Sequence, residues 1–336
     1  MKRKKVLIIN TGGTIGMKNT EKGYAPVEGF LAEAISTIGD MKKADAPAWE
    51  LHEMSPLLDS SDITVNEWNR IAGVVYDNYF SFDGFVILHG TDTMAYTASA
   101  LSFILEGLDK PVVLTGSQIP LSEIRSDGKD NLVTSLLIAA DGVANEVCLY
   151  FSGKLLRGNR AVKMSADDLV AFDSPNYPHL ADVGITVKYN YSAIGNFEKS
   201  SLALRPFGDV PIGVLKVFPG IQFGLFESIM TEKLSGIVLE TFGAGNIPSD
   251  SGALIPIIKS AFESGSVVAV CSQCPSGTVY LGAYETSSQL KRAGAVSGKD
   301  MTTEAAVAKL YHLFSIGVSK NEIKRLMEEN LRGELT

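Results

Sequence analysis

Short apolar runs alternate with helical patterns along most of this chain, and no other feature of the sequence constrains the fold as strongly. Strands that alternate with helices predict a parallel α/β sheet with helices on both faces. In the first half of the chain we predict strands at residues 6–10, 49–54, 85–89, 112–115 and 147–151. Helices are predicted at residues 64–79, where "TVNE" forms a capping box, and at residues 93–105, which are apolar nearly all round.

This alternation lapses from residue 187 to residue 211, where the polar, irregular sequence is typical of a linker or a surface hairpin. It then resumes, because "IGVLKVF", "SGIVLE" and "SVVAVC" predict three buried strands, each followed by a helix. Two more helices finish the chain, and "SKNE" opens the last as another capping box. The predicted fold class is therefore α/β with two domains. Residues 1–188 form a larger N-terminal domain with a mostly parallel sheet and flanking helices, residues 189–211 a linker, and residues 212–336 a smaller C-terminal parallel α/β domain.

Charge and composition exclude several classes of function. The formal charge of −8 and the pI near 5.2 argue against a nucleic-acid partner, since nucleic-acid binders present a basic face. No apolar run approaches the roughly 20 residues that cross a bilayer. The N-terminus also lacks the pattern of a signal peptide, so no membrane association is expected. Three cysteines, Cys148, Cys271 and Cys274, are too few for a disulfide framework, and we expect a cytoplasmic location.

The first predicted strand runs into a glycine-rich loop, "NTGGTIG", at residues 10–16. The loop lacks the G-x-G-x-x-G spacing of a dinucleotide site, and the chain has no G-K-[ST] phosphate loop, so no cofactor is predicted. In open α/β sheets, ligands bind beyond the carboxyl ends of the strands, where glycines let backbone N–H groups approach them. Thr14 would lie at that rim. On this loop alone, the commoner role of its hydroxyl is to bond the turn's own backbone.

Polar residues also follow three further predicted strands. They are hydroxyl-bearing or acidic side chains with glycines beside some of them: Asp59, Ser60, Ser61 and Asp62 in "LLDSSD", His89, Gly90, Thr91 and Asp92 in "VILHGTDTM", and Gly116 and Ser117 in "VLTGSQIP". Four such strand ends predict one polar crevice that holds a small zwitterion. Hydroxyls and helix N-terminal amides would bind its carboxylate, and an aspartate would bind its ammonium.

A threonine hydroxyl is a weak nucleophile and needs a base or a depressed pKa. A Ser–His–Asp set is not evident, because the chain has no G-x-S-x-G motif and only four histidines. Lys163, within "RGNRAVKMSADD", is a candidate, because a desolvated neutral lysine accepts protons. Taken alone, a lysine in such a polar segment is more often solvated at the surface.

The stretches "NTGGTIG" and "VILHGTDTM" together resemble the two signatures of the bacterial-type L-asparaginase family, and the resemblance is closest to its cytoplasmic type I branch. Six further stretches extend the resemblance along essentially the whole chain: "GYAP", "LLDSSD", "LTGSQIP", "RSDGKDNL", "LLRGNR" and "NLRGEL". The paired signatures are far more specific than a single glycine loop.

The resemblance implies hydrolysis of L-asparagine to L-aspartate and ammonia by a covalent threonine mechanism, without a metal or a cofactor. It implies that Thr14 is the nucleophile, attacking the side-chain amide carbon. It also implies that Tyr24 lies near Thr14 on a lid that closes over the substrate. The neighbouring glycines, Gly23 and Gly29, fit a hinged segment.

A second catalytic group is implied as well, in which Lys163 polarises the Thr91 hydroxyl and Asp92 holds the lysine or the substrate ammonium. Backbone N–H groups near Thr91 and Ser117 would stabilise the oxyanion. The implied substrate-binding residues carry hydroxyls or carboxylates, and they are Asp59, Ser60, Ser61, Thr91, Asp92 and Ser117. The family also implies a homodimer or homotetramer in which a neighbouring subunit adds polar residues to the pocket. The stretches "FGAGN" and "LGAYETS" lie near the corresponding places, and Asn246 in the first of them is the one residue that matches.

Other functions fit the sequence less well. An asparaginase-like subunit of archaeal transfer-RNA amidotransferases is disfavoured by the acidic charge and by a first strand that starts near residue 5. An amino-acid sensor would be expected to lack Thr14, Thr91 or Lys163, and all three are present. A nucleotide-binding module would require the missing phosphate loop.

Several smaller questions concern specificity and residues outside this crevice. The preference for asparagine over glutamine stays open, since one methylene typically discriminates by only ~1–3 kcal/mol. Whether a second, allosteric asparagine site lies near Glu240, Cys271 and Cys274 also stays open. "CSQC" has no second ligand pair for a metal. His89 is predicted to be structural, and the charges of "RSDGKDN" to orient their loop or pair across a subunit interface.

Overall fold

The computed structural model describes residues 3–21, 23–195, 201–248, 253–282 and 284–336. They form two compact units that divide between Leu204 and Arg205. The predicted fold class is confirmed, because the first unit contains a large, mostly parallel sheet with helices and the second a separate parallel sheet. Residues 196–200 of the predicted linker, and residue 283 of "LGAYETS", lie outside the described residues.

The first unit contains the five strands predicted from apolar runs and further strands that were not predicted. In chain order they are β1 Lys5–Gly12, β2 Met17–Thr20, β3 Gly23–Pro26, β4 Ala48–Leu58, β5 Gly84–Leu88, β6 Leu105–Glu106, β7 Val112–Thr115, β8 Val147–Phe151, β9 Lys154–Arg157, β10 Val162–Lys163, β11 Phe172–Asp173, β12 Ala181–Val183, β13 Val187–Tyr189 and β14 Ala203–Leu204. Each of the five predicted strands is therefore present. The strands β13 and β14 lie in the stretch predicted to be irregular, since two or three residues are too short to show an alternating pattern.

Eight of these strands form one sheet, in the order β13-β12-β9-β8-β7-β5-β1-β4. The pairs β4–β1, β1–β5, β5–β7 and β7–β8 are parallel, whereas β8–β9, β9–β12 and β12–β13 are antiparallel. Every residue of β5, β7 and β8 is buried, as expected for parallel strands covered on both faces. Because β4, β1, β5 and β7 run in the same direction, the residues that follow them share one edge of the sheet.

Four helices belong to the first unit, and they are α1 Phe30–Thr37, α2 Val65–Asn78, α3 Met94–Ile104 and α4 Gly128–Asp141. The predicted capping box of α2 is confirmed. The Glu67 carboxylate accepts hydrogen bonds from the Thr64 hydroxyl and, at 3.2 Å, from the Thr64 backbone N–H. Helix α3, whose sequence is apolar nearly all round, is largely buried, since nine of its 11 residues are buried.

The second unit has a four-stranded parallel sheet in the order β15-β16-β17-β18. Its strands are β15 Ile212–Lys216, β16 Gly236–Thr241, β17 Val267–Ser272 and β18 Val296–Ser297, and its α-helices are α5 Leu254–Glu263, α6 Glu285–Ala293, α7 Thr303–Ser315 and α8 Lys320–Met327. No helix among the described residues has the length and apolar character needed to span a membrane.

Two predictions for the second unit were wrong in detail. The strand β15 is only partly buried, because it lies at the edge of its sheet, whereas β16 and β17 are buried as predicted. The segment after β15 forms a short 3₁₀ helix at Phe223–Phe226 and a π-helical turn at Ile229–Lys233 instead of an α-helix. Helix α8 does begin at "SKNE", where the Ser319 hydroxyl accepts a hydrogen bond from the Glu322 backbone N–H at 3.3 Å.

Candidate active site

The loops after β1, β4 and β5 touch one another through glycines. A Cβ built on Gly90 would lie 2.5 Å from the Ser60 hydroxyl oxygen and 3.3 Å from the Gly13 Cα. A Cβ on Gly12 would lie 2.1 Å from the Leu58 carbonyl oxygen, so a side chain is excluded there as well. The three strand ends therefore pack closely against one another, and the loops that carry Thr14, Ser60 and Thr91 are neighbours.

Thr14 begins a 3₁₀ turn, Thr14–Gly16, directly after Gly13. It is half-buried, although the three residues before it and the three after it are buried. Within the described parts of the chain, the Thr14 hydroxyl has no hydrogen-bond partner. The alternative role, in which this hydroxyl bonds the turn's own backbone, is therefore not observed, and the hydroxyl is available to a ligand.

Lys163 contacts two residues of the loop after β5. Its ammonium nitrogen, Nζ, lies 2.9 Å from Thr91 Oγ1 and 2.7 Å from Asp92 Oδ1. The side chain of Lys163 is 19% exposed and that of Asp92 is 67% exposed, so the pair opens to solvent on the aspartate side. Lys163 is therefore not the ordinary solvated lysine that its sequence context alone favours.

The backbone around Lys163 explains how a lysine from a distant segment reaches Thr91. The preceding "RGNR" forms a buried 3₁₀ turn at Gly158–Arg160 that packs against α3. Lys163 then lies in β10, where it pairs with Phe172 of β11 in an antiparallel hairpin. Phe172 is buried and packs against Phe151, with 5.1 Å between their ring centroids.

Gln118 contacts the same threonine from the loop after β7. The Thr91 hydroxyl donates a hydrogen bond to Gln118 Oε1 at 3.0 Å. The amide nitrogen of Gln118 donates to the carbonyl oxygens of Asp168, at 3.2 Å, and Ala166, at 3.4 Å. Gln118 was missed by the sequence analysis, which singled out only Gly116 and Ser117 in this stretch.

The loop that carries Gln118 is held by the start of α4. The Asp127 carboxylate accepts hydrogen bonds from the backbone N–H groups of Gln118, at 3.0 Å, and Ile119, also at 3.0 Å. The Asn131 side chain donates to the Gly116 carbonyl oxygen at 3.0 Å. Two residues of "RSDGKDN" thus orient a site loop, in agreement with one of the roles predicted for that segment.

Asp59, Ser60 and Ser61 follow β4 and differ in exposure. The Asp59 carboxylate is exposed and accepts hydrogen bonds from the backbone N–H and the hydroxyl of Ser61, both at 3.0 Å. Ser60 is buried, and its carbonyl oxygen accepts a hydrogen bond from the Thr93 hydroxyl at 2.7 Å. The arrangement leaves a solvent-accessible carboxylate, the type of group that binds a substrate ammonium.

Ser117 is 1% exposed, and its hydroxyl has no hydrogen-bond partner among the described residues. A Cβ on Gly128 would lie 3.2 Å from the Ser117 Cβ, so α4 begins directly against this side chain. The Ser117 hydroxyl is thus placed in the loop between Gly116 and Gln118 but is buried, and its contact with substrate stays a prediction.

Tyr24 lies on the β2–β3 hairpin, which follows the Thr14 turn directly. Its side chain is half exposed, and the Glu123 carboxylate accepts a hydrogen bond from its phenol, which raises the pKa of Tyr24. Both glycines that flank this segment have left-handed backbone angles, with φ of 100° at Gly23 and 74° at Gly29. The lid movement predicted for this hairpin stays a prediction.

His89 is a structural residue, as predicted. Its Nδ1 lies 2.7 Å from the Gly90 carbonyl oxygen, and its Nε2 lies 2.9 Å from the Thr97 hydroxyl. Burial lowers the pKa of His89 to about 4, so the ring is neutral near pH 7. A neutral ring that donates from Nδ1 and accepts at Nε2 satisfies both contacts and shapes the turn before Thr91.

Models of two protein families match this chain. The asparaginase N-terminal model matches residues 5–195, and the glutaminase/asparaginase C-terminal domain model matches residues 211–327. The chain belongs to the asparaginase family. The resemblance drawn from the paired signatures is thereby confirmed.

Individual asparaginases are similar to this chain over its whole length. L-asparaginase 1 of Escherichia coli K12 is 43% identical over 336 residues, which cover 100% of this chain and 99% of that protein. The crystal structure of L-asparaginase I from Vibrio cholerae O1 matches with a TM-score of 0.91 and 43% identity, over 99% of each chain. The thermostable L-asparaginase from Thermococcus kodakarensis matches with a TM-score of 0.88 and 34% identity, again over 99% of each chain. This chain is an asparaginase-family enzyme, an amidohydrolase.

The C-terminal unit of this asparaginase-family chain holds the remaining residues of interest. Cys271 is buried, Cys274 is exposed, and burial raises the pKa of Cys271 to about 12. The Glu240 carboxylate accepts a hydrogen bond from the Thr303 hydroxyl at 2.5 Å. No group of three metal-ligating side chains occurs in the part of the chain that the structure describes. Asn246 accepts a hydrogen bond from Thr286 at 3.3 Å, and its role toward a neighbouring subunit stays a prediction.

Proposed function

We propose that this chain is a cytoplasmic L-asparagine amidohydrolase that forms L-aspartate and ammonia through an ester between Thr14 and the substrate side chain. One observation carries the proposal: Lys163 lies within hydrogen-bond distance of Thr91 and Asp92, in the loop that packs against Gly13 beside the unpaired Thr14 hydroxyl. The glycine-rich turn and the lysine-bonded threonine together supply a nucleophile and a proton relay.

In the first half of the proposed reaction, Thr14 Oγ1 attacks the side-chain amide carbon. Its proton passes to the phenol of Tyr24, which in turn donates its proton to Glu123. Backbone N–H groups near Thr91 and Ser117 bind the oxyanion, and each such donor contributes on the order of 3 kcal/mol to lowering the barrier. The C–N bond then breaks, and the Thr91 hydroxyl protonates the leaving nitrogen while Lys163 reprotonates Thr91.

In the second half, water attacks the ester carbon. A proton of this water passes through the Thr91 hydroxyl to Lys163, which the first half left neutral. The ester C–O bond breaks, and Thr14 regains its proton from Glu123 through Tyr24. Both relays return to their starting states, so the protons balance over one turnover. Asp92 stabilises the ammonium form of Lys163 at the start and the end of the cycle.

The substrate is proposed to bind by its two charged ends. The exposed Asp59 carboxylate accepts the α-ammonium, together with Asp92. The hydroxyls of Ser60 and Ser61 and the nearby backbone N–H groups, with Thr91 and Ser117, bind the α-carboxylate and orient the amide toward Thr14. We also propose a homodimer or homotetramer, with Asn246 as the residue that a neighbouring subunit brings to the pocket.

Ammonia release by the purified protein, from L-asparagine and separately from L-glutamine, tests the proposal. Thr14→Ala is the nucleophile control, and we expect it to abolish release. In Lys163→Met, we expect release to slow strongly, because Thr91 and Lys163 exchange a proton in both halves of the proposed reaction. Binding of asparagine without release by the wild type would make the crevice an amino-acid sensor instead.

A further inference from the structure

The orientation of the Gln118 side-chain amide is determined from both of its ends. Its nitrogen faces two backbone carbonyl oxygens, those of Asp168 and Ala166, and carbonyl oxygens only accept hydrogen bonds. Its oxygen therefore faces Thr91, at 3.0 Å from Oγ1. A reversed amide would place three acceptors together on one side and is excluded on that ground.

This orientation fixes the direction of the Thr91 proton. Lys163 donates to Thr91 Oγ1 and to Asp92 Oδ1, and an ammonium group has no acceptor to offer in return. The single proton of the Thr91 hydroxyl therefore points at Gln118 Oε1. In the resting enzyme, Gln118 thus holds the hydroxyl in one rotamer, with an oxygen lone pair directed at Lys163.

The other end of the amide holds the hairpin that carries Lys163. Strand β10 has only two residues, and its pairing with β11 is correspondingly short. The segment between the two strands contains Ala166 and Asp168, the two residues whose carbonyl oxygens Gln118 binds. A two-residue ladder is weak on its own, so contacts from outside the hairpin contribute to where Lys163 lies.

The backbone of Gln118 is itself held by hydrogen bonds, so its side chain can fix the positions of the groups that it binds. Its backbone N–H donates to both carboxylate oxygens of Asp127, at 3.1 and 3.0 Å. The same carboxylate binds the next backbone N–H, that of Ile119. A charge-assisted hydrogen bond of this kind is about twice as strong as a neutral one.

We propose that Gln118 is a positioning residue for the second catalytic group. It holds the Thr91 hydroxyl in one rotamer and the hairpin that carries Lys163 in place beside it. This inference rests on the proposed function for its kinetic consequence, since it assigns the Thr91–Lys163 relay to turnover. Its structural part, the ordering of the Thr91 side chain by Gln118, does not depend on which substrate is used.

Two variants separate the two ends of the amide. Gln118→Met removes the acceptor for Thr91 and both donors to the hairpin. Gln118→Glu keeps an acceptor beside Thr91 but turns an oxygen toward the carbonyl groups of Asp168 and Ala166. Asn78→Leu is the matched control, because Asn78 also donates from its amide to a backbone carbonyl, that of Val74, at the end of α2.

We expect Gln118→Met to lower kcat by about 10- to 100-fold, the cost of a displaced catalytic group, with KM within about twofold of wild type. We expect a smaller loss of kcat in Gln118→Glu. We also expect the pH profile of kcat to be displaced in Gln118→Met. Asn78→Leu should show neither effect. A kcat within twofold of wild type would overturn the proposal. An effect of Gln118→Met on KM alone would also overturn it. So would a loss of kcat that a fall in the melting temperature of the variant accounts for.

The Thr91 methyl resonance gives a readout that needs no turnover. In protein with ¹³C-labelled threonine methyl groups, Thr91→Ser assigns the signal. We expect Gln118→Met to shift it and to average its rotamers, while Asn78→Leu leaves it in place. An unmoved Thr91 signal would overturn the positioning role even in an active asparaginase. If the signal moves in Gln118→Met but the wild-type protein releases no ammonia, the proposed function alone is defeated.

Discussion

Gly13 and Gly90 are in direct backbone contact. A Cβ built on Gly13 would lie 2.3 Å from the Gly90 backbone nitrogen and 2.4 Å from the Gly90 Cα, distances that real Cβ atoms do not adopt. The residue after Gly13 is Thr14, and the residue after Gly90 is Thr91. The contact therefore places the loops that carry the proposed nucleophile and the lysine-bonded hydroxyl side by side, and it does so with the backbone alone.

Gly13→Ala is expected to damage both stability and activity. Besides the clash with Gly90, Gly13 has φ 81° and ψ 174°, a conformation that costs a non-glycine residue roughly 1–3 kcal/mol. A displacement of about 1 Å between reacting groups lowers the rate by about 100-fold. We expect a fall of that order in kcat/KM for ammonia release, together with a lower free energy of unfolding in urea.

Gly73→Ala serves as the control for the same substitution. Gly73 lies inside α2, and no atom lies within 4 Å of a Cβ built on it. Alanine in a helix interior is more stable than glycine by about 0.5–1 kcal/mol, so this variant should unfold at slightly higher urea with unchanged kcat. Wild-type behaviour of both variants would show that the Gly13–Gly90 contact is not required.

The sequence was sufficient to predict the strands that build the site, because their apolar runs are continuous and their ends carry Gly, Thr, Asp or Ser. It also offered Lys163 as a candidate, but the residues alone favoured a solvated lysine and only the resemblance gave it a role, since β10 has two residues and no pattern of its own. The distance from Lys163 to Thr91 depends on a hairpin whose pairing partner, Phe172, lies in a segment without a strand pattern. Such a contact arises from tertiary packing and leaves no local signal.

Gln118 is a second residue whose contact with Thr91 the sequence does not reveal. Nothing in "LTGSQIP" indicates that the glutamine, and not the serine before it, reaches Thr91. Which of two adjacent polar residues faces a site depends on the path of the loop, and that path depends on Asp127, which lies nine residues further on. The edge strand β15 was misjudged for a related reason, since an apolar run does not reveal whether a strand has one neighbour or two.

Lys163→Met should impair turnover more than binding. The variant keeps the bulk of the side chain but removes the group that donates to Thr91 and Asp92. Loss of a positioned proton-transfer group typically lowers the rate by about 10²- to 10⁴-fold. We expect kcat for ammonia release to fall within that range while KM changes by less than about threefold.

Lys43→Met is the matched control for the loss of a lysine in an ion pair. Lys43 lies 2.6 Å from Asp40, but its side chain is 64% exposed, and exposed pairs contribute about 0–1 kcal/mol. Its kcat should equal that of the wild type. A pure rise in KM in Lys163→Met, with kcat unchanged, would contradict the role of Lys163 in the relay.

Asp127→Asn should weaken the loop that carries Gln118. The carboxylate accepts hydrogen bonds from two backbone N–H groups and from the Asn131 side chain, whereas an asparagine offers one acceptor oxygen and turns an NH₂ group toward donors. Leaving buried donors unsatisfied costs about 1–3 kcal/mol, and because these two N–H groups are only partly buried we expect a loss at or below the lower end of that range in urea unfolding. Asp130→Asn, three residues along the same helix and exposed, should unfold like the wild type. Equal stability of both variants would remove Asp127 from its supporting role.

His89 gives the protein a defined pH dependence. Burial lowers the pKa of His89 to about 4 in the folded protein, while an unfolded histidine titrates near 6.5. As pH falls below about 6.5, the unfolded chain therefore takes up a proton that the folded chain does not. The resulting loss of stability grows until the pH reaches about 4, where the folded protein also becomes protonated, and it amounts to about 3 kcal/mol in total.

His89→Gln should remove this contribution without removing the hydrogen bonds, because a glutamine amide can donate to the Gly90 carbonyl oxygen and accept from the Thr97 hydroxyl. Urea unfolding of both proteins between pH 7 and pH 4 measures the effect. Other titrating groups are common to the two chains, so their contributions cancel in the difference between the free energies of unfolding. We expect the free energy of unfolding of the wild type to fall relative to that of His89→Gln by about 3 kcal/mol as the pH falls, since only the wild type carries the buried ring. A constant difference between His89→Gln and the wild type would mean that the buried ring is not kept neutral by the fold.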